Sequence, residues 1–380
     1  MSAITRARVV HMSSAHPASD TRMFHKECRA LAEAGYDVTL VVPHDSSQTL
    51  ESVHIEAVPM PRSRWERMFA TTWRVYRVAR KANACVYHLH DPELIPAGWL
   101  LKLAGKRVVY DVHEDLPRQI QAKDWIPRLL RGPAGLLAEL VEGIGARSFD
   151  GVVAATPIIA RRFPQRKTIT VHNFVETSMA VAGQQAYRKR PPYIAYVGGM
   201  FRIRGTRELV QSMSLVPATL GARLVLVGEF KSAEFQKELE ELPGWSSVDY
   251  RGFLDHGAVS AVLSQARIGI HVPRDTPNNR TGYNTKFFEY MASALPIVAS
   301  DFPLWRQLWG DIGCFLFVDS TNPADIAGAV SWLLTHPAEA EEMGRLGHEA
   351  VAKRFSWERE ERRLLSLYEH LCGTKERLSC

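Results

Sequence analysis

Asn284-Thr-Lys-Phe-Phe-Glu-Tyr-Met-Ala-Ser-Ala-Leu-Pro-Ile-Val-Ala-Ser-Asp301 reads as an amphipathic helix that runs into a short buried strand. Phe287, Phe288, Met291 and Ala292 recur at helical spacing, and Pro296 opens the strand PIVAS. Repeated along a chain, such helix-to-strand steps build a parallel sheet with crossover helices. The same step recurs on both sides of this stretch. Strands are expected at Tyr193–Val197, Arg223–Val227, Val248–Arg251, Ile268–Val272, Ile297–Ser300 and Cys314–Val318. An earlier series begins with Arg8–Ser13, followed by a loop and a helix from about Thr21 to Ala34. Gly35 ends that helix, and Tyr36–Pro43, Ala84–His90, Arg107–His113, Gly151–Ala155 and Thr168–His172 continue as strands. Between the two series, residues 176–192 are polar, rich in small side chains and closed by Lys-Arg-Pro-Pro, which reads as a linker. The expected fold class is therefore α/β, with two doubly wound domains facing across a cleft. Ligands of such sheets bind beyond the carboxyl ends of the strands.

Composition narrows the class. The 380 residues are 46% hydrophobic and 23% charged, as expected of a soluble globular chain with room for two domains. There is no apolar run long enough to span a bilayer, and Met1–Arg8 lacks a signal-peptide core. The cysteines show no CxxC or zinc-like spacing, which points to a reducing compartment, the cytoplasm. The net charge of +6 is local: Arg62–Lys81 carries seven basic residues against the single acid Glu66. This stretch reads as a helix with Trp65, Phe69, Trp73 and Tyr76 among its cations. It is either a packed helix with solvated cations or a docking element for an anionic membrane surface, to which Trp125–Arg131 adds a second contact. A nucleic-acid partner is not expected, because no recognition motif accompanies the patch.

Several residues carry chemistry by position. Glu289 stands early on its helix, either as an acceptor for two adjacent ribose hydroxyls or as a first-turn surface acid favoured by the helix dipole. Arg204, in Tyr196-Val-Gly-Gly-Met-Phe-Arg-Ile-Arg-Gly205, places a cation beside a helix start, where it needs an anionic partner. His88-Leu-His-Asp-Pro-Glu93 and Asp111-Val-His-Glu-Asp115 put polar groups at strand ends. Asp20 and Arg22 lie in the loop after the first strand, where Asp20 serves either a ligand or a turn.

The Asn284–Asp301 stretch resembles the nucleotide-binding motif of retaining GT-B glycosyltransferases of the GT4 type, in which a helix reading FEYMA-x-G-x-P-V-V-A-S follows the donor loop. Tyr196–Gly205 is similar to that family's V-G-R-L-x-x-x-K-G. The likeness extends over nearly the whole chain and implies a GT-B fold of two Rossmann-like domains. Residues 1–178 would form the acceptor-binding domain, with a C-terminal helix of about 359–380 packing back on it. Residues 190–358 would bind the nucleotide-sugar. By this resemblance Glu289 holds the ribose, and Arg204, Lys286 and amides around Gly282, Tyr283, Asn284 and Thr285 face the diphosphate. Gly199 replaces the family's usual arginine, and Thr281 replaces the first glutamate of its E-x7-E pattern. Gly228 and Phe253 border the base. His113 matches the histidine near the reacting carbon, and Asp20, Arg22, His90 and Asp91 line the acceptor side.

No Asp-x-Asp follows an expected strand, and the histidines make no zinc spacing, so neither a metal nor a cofactor is expected. Arg204 and Lys286 would then neutralise the leaving group. The resemblance implies a retaining transfer from a UDP-sugar, preferred over GDP, to a glycan or lipid-linked acceptor in bacterial polysaccharide or glycolipid assembly. The alternatives are a nucleotide-sugar epimerase of the same fold and a non-catalytic scaffold. A dinucleotide oxidoreductase is disfavoured, because no G-x-G-x-x-G follows the first strand.

Overall fold

The computed structural model describes residues 6–121, 126–176, 186–276, 279–280 and 283–376. The chain divides into two compact units, Met1–Asn173 with Trp357–Cys380, and Phe174–Ser356.

Unit 1 is built on eight strands: β1 (Arg8–Met12), β2 (Asp37–Pro43), β3 (Gln48–Leu50), β4 (Val53–Val58), β5 (Val86–Leu89), β6 (Arg107–Val112), β7 (Gly151–Ala154) and β8 (Thr168–Thr170). Their order is β3-β4-β2-β1-β5-β6-β7-β8, and every pair is parallel except β3 with β4. The hairpin of β3 and β4 is an addition to the expected strands. It turns on Glu51 and Ser52, both at positive φ, so its tight turn lacks the Asn-Gly signal that would reveal it. The central strands are buried on both faces, as a covered parallel sheet requires. Strand order reverses between β1 and β5, which places the switch point of this sheet at the loops that follow them.

The first helix begins differently from the expected Thr21–Ala34. Met23–Cys28 winds as a π-helical segment and continues into α1 (Arg29–Glu33). Asp20 Oδ1 accepts from the amides of Arg22 (2.9 Å) and Met23 (2.8 Å), fixing the entry. The wider turn carries Phe24, Lys26, Glu27 and Cys28 all into the interior. On one flank of the sheet α2 (Thr72–Lys81) packs on α3 (Ile95–Leu103), which packs on α4 (Arg128–Ser148).

Unit 2 has six parallel strands: β9 (Tyr193–Val197), β10 (Arg223–Val227), β11 (Val248–Tyr250), β12 (Ile268–His271), β13 (Ile297–Ser300) and β14 (Phe315–Val318). The order is β11-β10-β9-β12-β13-β14, with its reversal between β9 and β12. A short 3₁₀ turn after β9 leads into α5 (Thr206–Met213), and the helix expected from the opening motif is α6 (Thr285–Ala292). Phe287, Phe288, Met291 and Ala292 are buried in the core, as their spacing implies. The last helix, α7 (Trp357–Glu376), belongs to unit 1, where Trp357, Leu364, Tyr368 and Leu371 close the core beneath β1, β2 and β5. The central part of the expected linker, residues 177–185, lies outside the described residues.

Gly205 has φ +70°, and a Cβ there would lie 1.9 Å from the Val272 carbonyl oxygen. Backbone strain and overlap act together, so Gly205→Ala is expected to destabilise the protein by at least about 2 kcal/mol. Thermal unfolding followed by circular dichroism checks this, and an unchanged midpoint would refute the close approach.

Candidate active site

In unit 2 the carboxyl ends of β9 and β12 converge on a cationic pocket floor. Gly198, at φ +133°, lies under the Lys286 side chain; a Cβ there would stand 2.5 Å from Lys286 Cε and 2.8 Å from Nζ. The absent side chain is what lets the lysine cross the strand end. Gly228 closes the neighbouring strand end, donating its amide to Gly252 O at 2.7 Å, while the Gly199 carbonyl accepts from the Tyr196 hydroxyl at 3.0 Å. Arg204 rises from the turn after β9, its guanidinium 5.6 Å from the centre of the Phe201 ring. Burial and the positive charge of Arg204 pull the Lys286 amine down to about 8, against a smaller opposing pull from Glu289.

Asn284 caps α6, its Oδ1 accepting from the Lys286 amide at 3.3 Å, and Thr285 is the first helical residue. Tyr283 packs edge-on against Trp309, with ring centres 5.5 Å apart. Glu289 is half-buried on α6 one turn beyond Lys286. Phe253 is 75% exposed, presenting a free aromatic face beyond β11. Gly282 and Thr281 lie outside the described residues. Lys286 at the start of α6 and Arg204 just before α5, close enough for their charges to interact, form an arrangement suited to a diphosphate.

In unit 1 the loops after β1 and β5 meet in a hydrogen-bonded knot. Asp91 accepts from the Ser13 hydroxyl (2.8 Å) and the Ser14 amide (2.6 Å), and pairs with His16 Nδ1 (3.0 Å). His113, at the end of β6, is partly exposed and meets the His16 ring edge-on at 4.8 Å. Below them Arg22 is buried, its Nε 3.0 Å from Asp111 Oδ2 and 3.2 Å from Glu27 Oε1, with Nη1 donating to Val171 O at 2.8 Å. Asp20 is engaged in turning the chain. Thus His113 and His16 form the accessible surface, whereas Asp91, Arg22 and His90, expected to line it, are buried beneath. A separate open cavity of about 820 Å³, lined by His172, Arg359, Arg362 and Arg363, includes none of the expected site residues.

Two family descriptions match the chain: "Glycosyl transferase 4-like domain" over residues 21–173 and "Glycosyl transferase-like" over residues 204–366. The chain belongs to the GT4-like glycosyltransferases of GT-B fold. No curated protein sequence matches it. Among solved structures it is similar to a sucrose-phosphate synthase from Thermosynechococcus elongatus, with a TM-score of 0.77 at 20% identity, covering 97% of this chain and 100% of that one. Anabaena Alr3699/HepE in complex with UDP-glucose gives a TM-score of 0.71 at 10% identity over 96% and 99% of the two chains. WaaG, a glycosyltransferase involved in lipopolysaccharide biosynthesis, gives 0.72 at 13% identity over 96% and 100%.

One expectation is corrected. The glycosyltransferase was expected to carry no metal site, yet His11, Glu27, His88 and His90 are all buried, with one ligand atom from each lying within 4.8 Å of the others. Sequence spacing missed the cluster because its members come from β1, the π-helical segment and β5, brought together only by strand pairing and helix packing. His11 and His88 stand opposite one another in the β1–β5 register. Burial and neighbouring imidazoles hold His11 and His90 well below the ordinary histidine value, and burial brings His88 down to about 4. Burial and the Asp111 charge drive the Glu27 carboxyl upward, while at Asp111 burial is outweighed only by Arg22 acting together with His113 and His90, which hold that carboxyl well down.

His16 was also missed, since a lone histidine in a loop carries no signal until Asp91 is seen beside it. Burial opposes its charge, but the hydrogen bond to and charge of Asp91, aided by Asp20 and Glu114, raise it to about 9. A histidine raised on folding stabilises the protein fully below its unfolded value near 6.5, and that contribution is lost as pH rises through about 9. Asp91→Asn should return the His16 titration, read by imidazole NMR, toward the ordinary range. An unshifted titration would show that Asp91 is not the cause.

Proposed function

We propose that this glycosyltransferase moves a sugar from a UDP-sugar to a hydroxyl of a glycan or lipid-linked acceptor, with retention at the anomeric carbon, in polysaccharide or glycolipid assembly. The observation that carries the reading is Lys286 at the start of α6, crossing the Gly198 strand end, with the charge of Arg204 near enough to lower its proton affinity. Neither cation has a carboxylate partner at ion-pair distance among the described residues. Support for uracil as the base comes from the UDP and UDP-glucose complexes of the similar HepE fold.

In this reading Glu289 accepts from the ribose hydroxyls, and Phe253, Gly228 and Gly199 border the nucleotide. Lys286, Arg204 and the amides at Tyr283, Asn284 and Thr285 stabilise the charge that grows on the diphosphate as its bond to the sugar breaks. The acceptor oxygen bonds to the anomeric carbon on the face that the diphosphate leaves, and its proton passes to a phosphate oxygen of departing UDP. His113 hydrogen-bonds the donor sugar. Asp91 and His16 line the acceptor side, with Asp20, Arg22 and His90 holding that surface from beneath.

A lipid-linked acceptor is favoured by a particular surface of unit 1. Trp65 (71% exposed), Phe69 and Trp73 stand out beside the basic residues of the Arg64–Lys81 helical stretch. The neighbouring helices also expose apolar side chains, Leu103 on α3 and Leu129 (92% exposed), Leu136, Leu137 and Leu140 on α4. Trp125, expected to contribute, lies outside the described residues. Aromatic and leucine side chains among arginines suit the interface of an anionic bilayer. Among the described residues no helix is long and apolar enough to cross a membrane. The enzyme would therefore act as a peripheral protein on the cytoplasmic face.

Because the Lys286 amine titrates near 8, a bound diphosphate will favour its charged form. Calorimetry of UDP binding at about pH 8 in buffers of different ionisation enthalpy should show proton uptake. Lys286→Met should abolish the uptake and weaken binding roughly 10- to 100-fold, and Glu289→Ala should also weaken binding. Failure of UDP, GDP and CMP alike to bind would move the assignment to a non-catalytic scaffold. Sugar released without acceptor would indicate the epimerase, and an inverted product anomer by proton NMR would overturn retention.

The protein should float with phosphatidylglycerol vesicles, and Trp65→Ala/Phe69→Ala/Trp73→Ala should reduce flotation without changing UDP affinity. Wild-type protein that stays in solution would exclude the membrane surface.

A further inference from the structure

The histidine cluster beneath the acceptor surface has an order that the transfer reaction does not require. Two of the three imidazoles have one nitrogen held by an outer oxygen, and the third has a carboxylate nearby. The Tyr368 hydroxyl on α7 lies 3.0 Å from His11 Nε2 and 2.8 Å from His88 Nδ1. Asp111 Oδ2 lies 3.8 Å from His90 Nδ1. The nitrogens left over are His11 Nδ1, His90 Nε2 and His88 Nε2. The first two share a single 2.8 Å contact, and the third is buried without a hydrogen-bond partner. Both carboxylate oxygens of Glu27 are likewise buried without a hydrogen bond, although Oε1 pairs with Arg22 at 3.2 Å. Imidazoles oriented through their far nitrogens by oxygen groups are the usual outer arrangement of a metal site.

We infer that His11, His88, His90 and a Glu27 carboxylate oxygen, with one donor atom from each within 4.8 Å of the others, bind one divalent cation of the zinc class. Three imidazoles and one carboxylate select late first-row ions over magnesium or calcium, which prefer all-oxygen shells. In a tetrahedral zinc site, bonds of about 2.0–2.1 Å place donor atoms roughly 3.4 Å apart. The present spacings, from 2.8 Å up to 4.8 Å, bracket that value, so small side-chain shifts close the site. Charge points the same way: Glu27 and Asp111 are buried carboxylates, and Arg22 is the guanidinium that faces both. Four protein ligands leave no position open, which makes the ion structural. It ties β1, β5 and the Met23–Cys28 segment together directly below the loops that carry His16 and Asp91.

The test uses the full chain, loaded with zinc and dialysed against metal-free buffer, then assayed by elemental mass spectrometry. About one zinc per chain is expected, with a higher thermal midpoint than the chelator-treated protein. Cobalt loading should give the intense visible bands of a four-coordinate ion, a readout on wild-type protein that does not depend on any variant folding. His88→Gln and Glu27→Gln should each lose the stoichiometric ion. Circular dichroism reports whether they fold, and UDP calorimetry on the same samples reads the donor site separately. Folded wild-type protein without bound zinc or cobalt bands would overturn the inference. So would variants that fold and retain the full zinc content, because the ion would then sit elsewhere.

Discussion

Arg22 is a buried cation between two buried carboxylates, Asp111 and Glu27, and the carboxyl end of the unit-1 sheet is arranged around that contact. An ion pair removed from water is costly unless its remaining hydrogen-bonding groups are satisfied, and removing one partner strands the others. Here the second arm of the guanidinium reaches the Val171 carbonyl at the end of β8, so a single side chain joins the loop after β1 to β6 and β8. The π-helical turn follows from the same need, since it brings Glu27 inward close behind Arg22. Because Arg22, His90 and Asp91 are committed below, the groups left at the surface are His113 and His16, the latter held by Asp91.

Unit 2 solves the opposite problem. Its site gathers positive charge that Glu289 offsets only in part, and Lys286 records the cost in its lowered proton affinity. Gly198 gives the Lys286 side chain room to cross the strand end, and the α6 amides add to the field that an anion there would meet. His271, fully buried nearby, is held neutral by burial and by the charges of Lys286 and Arg204.

The α/β class and the strand series were legible because buried parallel strands are continuous apolar runs and their covering helices repeat at helical spacing. The edge hairpin was not, since Glu51 and Ser52 adopt a left-handed turn that their residue types do not announce. Arg204, Lys286 and Glu289 stood out because each places charge within or beside an apolar pattern, where it needs a reason. The metal-type cluster was invisible for the reverse cause. His11, Glu27, His88 and His90 are spread over three elements, and neither composition nor motif brings them together.

The sequence by itself determined the secondary-structure period, the alternation of strand and helix, and the glycines and cations after β9 and at the start of α6. These are local quantities, encoded within windows of a few residues. Tertiary structure alone decided which strand lies beside β1, and with it which polar side chains share the β1–β5 switch point. It also decided their charge states, because desolvation and pairing depend on neighbours distant in the chain. That is why Asp91 sets the proton affinity of His16, and why Tyr368, near the far end of the chain, orients His11 and His88 at the heart of the first sheet.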